Sequence, residues 1–345
     1  DNSSTAQNSG EEPTGTITLT VVEDTLDKIE VSTAPTKTEY TYGDSLDLSG
    51  MVVTATYKSG ATKNVTEEAT VSPDILDTSV TELTITYGSQ TTTQAITVNP
   101  KTVSSPIIEL SGTSFEYTGS EIKPTVTVKD GKTVIHESEY TVEYSNNTNV
   151  GTATVTIKNV EGGNYTVGGS TTFEITKAKA VVTTAPTANT LTYTGNPQAL
   201  VTAGEAEGGT LVYSLEKGGN YDVVIPTGTN AGSYTVFYYV KGDANHSDTD
   251  PVQVEVTIKK ADPDVTVPDN LTATYGNTLN DVTLPDDWSW NDPDTTSVGN
   301  VGSNTFSATY TPSDTTNYNT VTKNLAVTVS AKGITGAEIT LGDVL

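Results

Sequence analysis

Residues 149–157 read Asn-Val-Gly-Thr-Ala-Thr-Val-Thr-Ile, and this stretch decides the fold class. After Gly151, apolar residues alternate with threonines, so one face of the segment is apolar and the other is polar. The β-branched residues Thr and Val fit a pleated, half-buried strand better than a helix. The same alternation recurs at 83–87 and 252–258, whereas no segment combines a helical period with end caps. The sequence therefore predicts an all-β protein.

Three short markers recur along the chain at the spacing of a small domain. A Tyr closely followed by Gly recurs in steps of 75, 76 and 82 residues, at Tyr42-Gly43, Tyr117-Thr118-Gly119, Tyr193-Thr194-Gly195 and Tyr275-Gly276. The second marker is Asn-x-Gly, at 149–151, 230–232 and 300–302. The third is an Asn followed by an aromatic residue, at Asn164-Tyr165, Asn245-His246 and Asn317-Tyr318. The first unit lacks the second and third markers, and the pattern as a whole is that of a repeat array.

Composition excludes several classes of function. The 345 residues carry a net charge of −26, all 17 basic residues are Lys, and Cys is absent. Nucleic-acid recognition needs a basic surface with Arg forks, so we expect no nucleic-acid partner. An anionic membrane surface would repel the chain, and no apolar run is long enough to insert into a bilayer. Without Cys there is neither a disulfide nor a thiolate site.

Several stretches resemble bacterial immunoglobulin-like domains of Gram-positive surface and secreted proteins. The resemblance is most specific at residues 36–50, Thr-Lys-Thr-Glu-Tyr-Thr-Tyr-Gly-Asp-Ser-Leu-Asp-Leu-Ser-Gly, which are followed by Val-Val-Thr-Ala-Thr-Tyr at 52–57. Later units resemble related repeats through 139–142, 146–153, 191–195 and 314–319. The resemblance implies an extracellular setting, at the cell surface or secreted, a stalk, spacer or adhesion role, and no catalytic residues.

We therefore predict four tandem immunoglobulin-like Greek-key β-sandwiches, because units of this length with regular turn signals fit that fold. The joints carry Lys and Pro instead of Gly/Ser tracts, so an elongated rod is expected. The predicted segments are a disordered polar segment at 1–15, domains at 16–100, 101–178, 179–260 and 261–332, and the start of a truncated further repeat at 333–345.

Two groups of residues are candidate binding sites. Trp288 and Trp290 lie two apart on a predicted strand, so they share a face that either fills the core or stacks on sugar rings. Asp262, Asp264 and Asp269 cluster before the fourth unit and could supply oxygen ligands to Ca²⁺, although solvated charge is the plainer interpretation. His246 takes the place of Tyr165 and Tyr318, which points to a structural role in pinning a loop.

The sequence-based hypothesis is a non-catalytic, monomeric stalk of a bacterial cell-surface protein that needs no cofactor. Two alternatives remain open. The array could be an adhesin that binds host or dietary glycans or other surface proteins. It could equally be the accessory region of a secreted carbohydrate-active enzyme. No complete catalytic or phosphate-binding motif occurs in the sequence.

Overall fold

The computed structural model of the chain describes residues 22–333 and residue 336. The predicted segment 1–15 and nearly all of the predicted further repeat at 333–345 lie outside these residues. The chain forms two compact units. Among the described residues, the first comprises 22–115, Glu121–Asn147 and Gly151–Glu174, and the second comprises Glu116–Ser120, Thr148–Val150 and 175–333.

Strand pairing divides the described residues into four successive stretches, and no pairing crosses from one to another. We call them set one (26–99), set two (101–176), set three (178–259) and set four (261–330). No α-helix occurs among the described residues, which confirms the all-β prediction, and only two short 3₁₀ helices are present, Glu137–Glu139 and Leu279–Asp281.

The strands of set one are β1 (Leu26–Thr33), β2 (Glu39–Thr41), β3 (Val52–Tyr57), β4 (Thr62–Asn64), β5 (Thr70–Ser72), β6 (Glu82–Tyr87), β7 (Gln90–Ala95) and β8 (Thr97–Asn99). Those of set two are β9 (Lys101–Thr102), β10 (Ile107–Leu110), β11 (Ser114–Glu116), β12 (Val126–Asp130), β13 (Thr133–Val134), β14 (Tyr140–Ser145), β15 (Gly151–Asn159), β16 (Tyr165–Thr166) and β17 (Gly169–Thr176).

Those of set three are β18 (Ala178–Lys179), β19 (Val181–Thr184), β20 (Thr187–Ala188), β21 (Leu191–Thr192), β22 (Gln198–Ala199), β23 (Val201–Thr202), β24 (Glu205–Glu207), β25 (Gly209–Ser214), β26 (Thr227–Gly228), β27 (Gly232–Gly242), β28 (His246–Ser247) and β29 (Val252–Lys259). Those of set four are β30 (Leu271–Thr274), β31 (Trp288–Trp290), β32 (Gly302–Tyr310) and β33 (Val321–Ser330).

The alternating stretches form strands with the predicted faces. In β15, Ala153, Val155 and Ile157 are buried while the intervening threonines are not. In β6, Leu83 and Ile85 are fully buried. The apolar faces of these strands therefore build the cores, as the period-2 pattern predicts.

Set two comes nearest to the predicted sandwich, with two main sheets of three and four strands. Its main sheets have the orders β10-β12-β13 and β11-β17-β15-β14. Set one has sheets β1-β3-β4 and β5-β6-β7, and set three has a four-stranded sheet, β21-β29-β27-β25, with several two-stranded pairs. Set four departs from the prediction, because its described strands form one sheet, β30-β33-β32-β31. The 3₁₀ helix that begins at Leu279 and irregular segments with Val282 and Val298 cover the apolar side of that sheet.

In three of the sets a strand in the first half, which we call the opening strand, pairs in parallel with the last strand, which we call the closing strand. β2 pairs with β8 in set one, β21 with β29 in set three, and β30 with β33 in set four. In sets one and three the closing strand leads directly into the residues that connect to the next set.

Candidate functional site

The three Asn-aromatic markers occupy equivalent places in the fold, where a short segment precedes the closing strand. We call each pair a corner: 164–165, 245–246 and 317–318. An acidic side chain of the same set positions each Asn by accepting its backbone N–H. The acceptors are Glu139 Oε2 at 2.7 Å, Asp243 Oδ1 at 2.8 Å and Asp314 Oδ1 at 3.2 Å. The backbone of each corner is therefore fixed from within its own set.

Each corner also holds the residues that connect its set to the preceding one. Lys101 N–H donates to the Asn164 carbonyl at 2.9 Å, Ala178 N–H to Asn245 at 3.1 Å, and Ala261 N–H to Asn317 at 2.9 Å. The aromatic residues Tyr165, His246 and Tyr318 pair in parallel register with those same linker residues. The linkers are thus hydrogen-bonded segments, which agrees with their lack of Gly/Ser tracts.

The Asn side chains extend into the preceding set. Asn164 Oδ1 accepts the N–H of Thr78 at 3.0 Å, Asn245 Oδ1 that of Val150 at 3.0 Å, and Asn317 Oδ1 that of Ala231 at 2.7 Å. In two corners Nδ2 donates to an Asn of the preceding Asn-x-Gly marker. Asn245 bonds to Asn149 Oδ1 at 3.1 Å and Asn317 to Asn230 Oδ1 at 3.4 Å. We call these contacts joints one, two and three.

The aromatic residue of each corner meets the Tyr of the preceding Tyr-Gly marker. The ring centroids lie 5.2 Å apart for Tyr42 and Tyr165, 5.2 Å for Tyr117 and His246, and 5.3 Å for Tyr193 and Tyr318. The interplanar angles of 73°, 84° and 82° are those of edge-to-face pairs. The three repeat markers therefore meet at joints two and three, whereas joint one combines a corner and a Tyr-Gly marker with Thr78 in place of the Asn-x-Gly marker.

Joint one lies wholly within the first compact unit, and joints two and three lie within the second. A hydrogen bond contributes a net ~1 kcal/mol and an edge-to-face ring pair about 0.5–1.5 kcal/mol. Asn317 is only 6% exposed, so loss of the Ala231 N–H would leave a buried amide oxygen without a donor, while its Nδ2 still bonds to Asp314 Oδ2 at 2.8 Å. Each joint thus supplies a few favourable contacts that depend on one amide and one ring.

Joint two differs in its aromatic residue. His246 Nδ1 lies 2.7 Å from Asp243 Oδ1, and this contact, with the backbone N–H of Asn245, holds the pKa of the Asp243 carboxyl below its ordinary value. The His246 ring also packs closely on Gly208, where an added Cβ would come within 2.6 Å of the ring. The structural interpretation of His246 fits these contacts, although its ring meets the preceding set and does not pin its own loop alone.

Both tryptophans pack against the core of set four. Trp288 is 7% exposed and clusters with Ala308 and Leu325, while Trp290 is half-buried and its Nε1 donates to the Val282 carbonyl at 3.4 Å. Little of the Trp288 ring is therefore open to a ligand. Glycan contact at this pair stays a prediction.

The three aspartates predicted as calcium ligands have separate surroundings. Asp262 Oδ1 accepts from Asn319 Nδ2 at 2.8 Å, whereas Asp264 and Asp269 line an open groove of about 740 Å³ beside Trp288 and Tyr310. Within 22–333, no group of three or more His, Cys, Asp or Glu side chains is placed to hold a metal ion. Calcium binding by these residues also stays a prediction.

Residues 33–98 match the family model described as a bacterial Ig-like domain (group 3). This match confirms the resemblance of 36–57 to a bacterial Ig-like domain, and it covers set one from the last residue of β1 into β8. No curated protein matches the chain. None of the helices in the described part of the chain has the length and hydropathy needed to cross a membrane.

Several solved structures are similar to the chain at low identity. The protocadherin GammaB4 extracellular domain is 10% identical over 88% of this chain and 61% of its own, with a TM-score of 0.25. Sidekick-1 immunoglobulin domains 1–5 are 12% identical over 90% of this chain and 80% of their own, with a TM-score of 0.24. Drosophila N-cadherin EC1–4 is 9% identical over 80% of this chain and 89% of its own, with a TM-score of 0.24. The chain thus spans about three fifths of the protocadherin's length.

Sequence reasoning found the markers but not their pairing. The available signal was their distribution: the first unit has Tyr42-Gly43 and lacks an Asn-aromatic marker, as expected if a Tyr-Gly marker receives the corner of the following unit. This signal would have identified the residues of the joints.

Proposed function

We propose that the chain is a non-catalytic array of four immunoglobulin-like domains that acts as a stalk or spacer of a bacterial surface protein. The predicted boundaries at 16–100, 101–178, 179–260 and 261–332 are part of this proposal. The proposal rests on the recurrence of the joint. The same hydrogen bond to an Asn side-chain amide and the same pair of aromatic rings occur three times between successive sets. A spacer requires its domains to keep a defined orientation, and paired linkers with side-chain contacts favour this.

The composition and the family match support the same role. A net charge of −26 keeps neighbouring molecules apart, which suits a monomeric, cofactor-free spacer in an extracellular setting. The bacterial Ig-like match at residues 33–98 supports the extracellular assignment. Gram-positive origin belongs to the proposal as well.

Small-angle scattering tests the proposed spacer. A compact globule of this length has a radius of gyration near ~20 Å, and a spacer of four domains in series should give a much larger value. A triple variant, Asn164→Ala, Asn245→Ala and Asn317→Ala, should broaden the distribution of distances while the strand content measured by circular dichroism stays constant. A radius of gyration near the compact value for the unmodified chain would refute the spacer.

A further inference from the structure

We propose that Tyr275, Asn300 and Val301 of set four form a further joint surface, and that it binds the corner of another immunoglobulin-like repeat. The occupant is specified by chemistry: an Asn amide followed by an aromatic ring. This inference rests on the proposed function, since it extends the series of joints by one.

The backbone of this surface has the form seen at the occupied joints. Tyr275 N–H donates to the Ser330 carbonyl at 2.9 Å, as Tyr42 N–H does to Asn99 and Tyr193 N–H to Lys259, both at 2.8 Å. Gly276 has φ of +93°, beside +94° for the equivalent Gly43. The Tyr is therefore held in the position from which the equivalent residues meet a partner ring.

The hydrogen-bonding groups also correspond. The Asn300 carbonyl accepts from Asn304 Nδ2 at 2.7 Å, just as the Asn230 carbonyl accepts from Tyr234 Oη at 2.8 Å. At joint three, Ala231 N–H and Asn230 Oδ1 then bind the two ends of one amide. Their counterparts, Val301 N–H and Asn300 Oδ1, make no hydrogen bond among the described residues. An amide can satisfy both groups, whereas a carboxylate can accept but cannot donate.

The surface is open. Tyr275 is 51% exposed and Val301 is 58% exposed, while Tyr42, Tyr117 and Tyr193 are each partly covered at their joints. Lys332 stands two residues after Ser330, in the position that Lys101 has after Asn99 and Ala261 after Lys259. The linker residue that would bind a following corner is therefore in the same register as at the occupied joints. The surface continues the series of three occupied joints.

An extended chain tests the proposal directly. A second copy of residues 261–332 is placed after Ala331, so that the copy's Ala261 stands two residues beyond Ser330. Amide hydrogen exchange of Val301 is then compared between the original and extended chains. We expect exchange at Val301 to slow about fivefold to tenfold, the effect of one added hydrogen bond. Replacing the Asn of the copied corner with Ala, or Tyr275 with Ala, should restore most of the original rate.

A second extended chain, with a copy of residues 178–259 in the same register, offers the corner Asn245-His246 and guards against misfolding of the first copy. An unchanged Val301 rate in both extended chains overturns the inference. Ala231 in the original chain is the internal reference. If Ala231 exchanges slowly and Val301 never slows, only this inference fails. Fast exchange at Ala231 in the original chain would instead count against the proposed function.

Discussion

At the scale of single residues, the joints depend on side chains that are far apart in sequence. Asn317 lies 86 positions from Ala231, and Asn245 lies 95 positions from Val150. Each Asn acts through both ends of its amide, because the oxygen accepts a backbone N–H and the nitrogen donates to a side chain. Neither Asp nor Gln offers these two groups at the same distance from the backbone.

We expect Asn317→Ala to destabilise the joint by about 1–3 kcal/mol, because it removes a buried acceptor and leaves Ala231 N–H without a partner. Amide exchange at Ala231 should accelerate, and chemical denaturation should show the loss in stability. The exposed Asn324 in β33 provides the matched control. Equal losses from Asn317→Ala and Asn324→Ala would contradict the assigned role.

Gly208 should be sensitive to the addition of one methyl group. Its φ is +75°, and an added Cβ would come within 2.6 Å of the His246 ring. Gly208→Ala therefore strains the backbone and displaces the ring, at a cost of about 1–3 kcal/mol. Gly218 has φ of +77° with nothing within 4 Å, so Gly218→Ala isolates the backbone strain. Thermal unfolding should show the larger loss for Gly208→Ala, and matching losses would show that the ring contact is immaterial.

The lowered pKa of the Asp243 carboxyl predicts how the stability of joint two changes with pH. The His246 side chain is the main cause of its lowered pKa in the folded protein, so its ionised form favours folding. This contribution is present above the unfolded pKa of about 3.9 and is lost as the pH falls through the lowered folded value. Nuclear magnetic resonance titration should find the Asp243 pKa below normal, and His246→Ala should raise it. An Asp243 pKa that is the same in both proteins would refute the assignment.

At the scale of strands, the alternation of apolar residues determines which face is buried. Phe173 in β17 is 1% exposed and meets Phe115 with ring centroids 5.5 Å apart. Thr172, its neighbour, is exposed. The core of set two therefore depends on one side of β17, and the other side has little effect on packing.

Phe173→Ala should cost about 3–5 kcal/mol, since it removes a buried ring and leaves a cavity. Thr172→Ala on the same strand should change stability by less than about 0.5 kcal/mol. Denaturant unfolding monitored by amide exchange should place the loss mainly within 101–176. A uniform loss across all four sets would mean that the sets do not unfold as separate units.

Period-2 alternation was enough to predict the strands of the cores, because the burial of each residue follows from its own neighbours in sequence. Alternation was not enough for set four, where a 3₁₀ helix with Leu279 and an irregular segment with Val298 take the place of a second sheet. Alternation could not predict the joints either, because the contact between Tyr193 and Tyr318 depends on how two sets pack and not on any local pattern. The markers were visible in the sequence, but their partners were not.

At the scale of the whole molecule, acidic charge dominates the surface. The chain has 43 acidic and 17 basic residues, and the Lys side chains of the described part form eight ion pairs with carboxylates. Exposed pairs contribute about 0–1 kcal/mol each, and salt weakens them. Most carboxylates in the described part of the chain have no Lys partner, so salt should weaken the repulsion among carboxylates more than it weakens the ion pairs.

We therefore expect the melting temperature at pH 7 to rise between 0.01 M and 0.15 M NaCl, as the screening length falls from about 30 Å to about 8 Å. Calorimetry in NaCl and in choline chloride separates screening from specific sodium binding, because screening gives the same rise in both. A melting temperature that falls with salt would show that the ion pairs outweigh the repulsion.

The parallel pairing of opening and closing strands has a mechanical consequence. In sets one, three and four, tension along the chain pulls these two strands past one another along their length. Their hydrogen bonds are then loaded together in shear, and none can be peeled open before the next. Resistance to stretching in each of these sets is therefore concentrated in a few short ladders, which must rupture as a group before the set can lengthen.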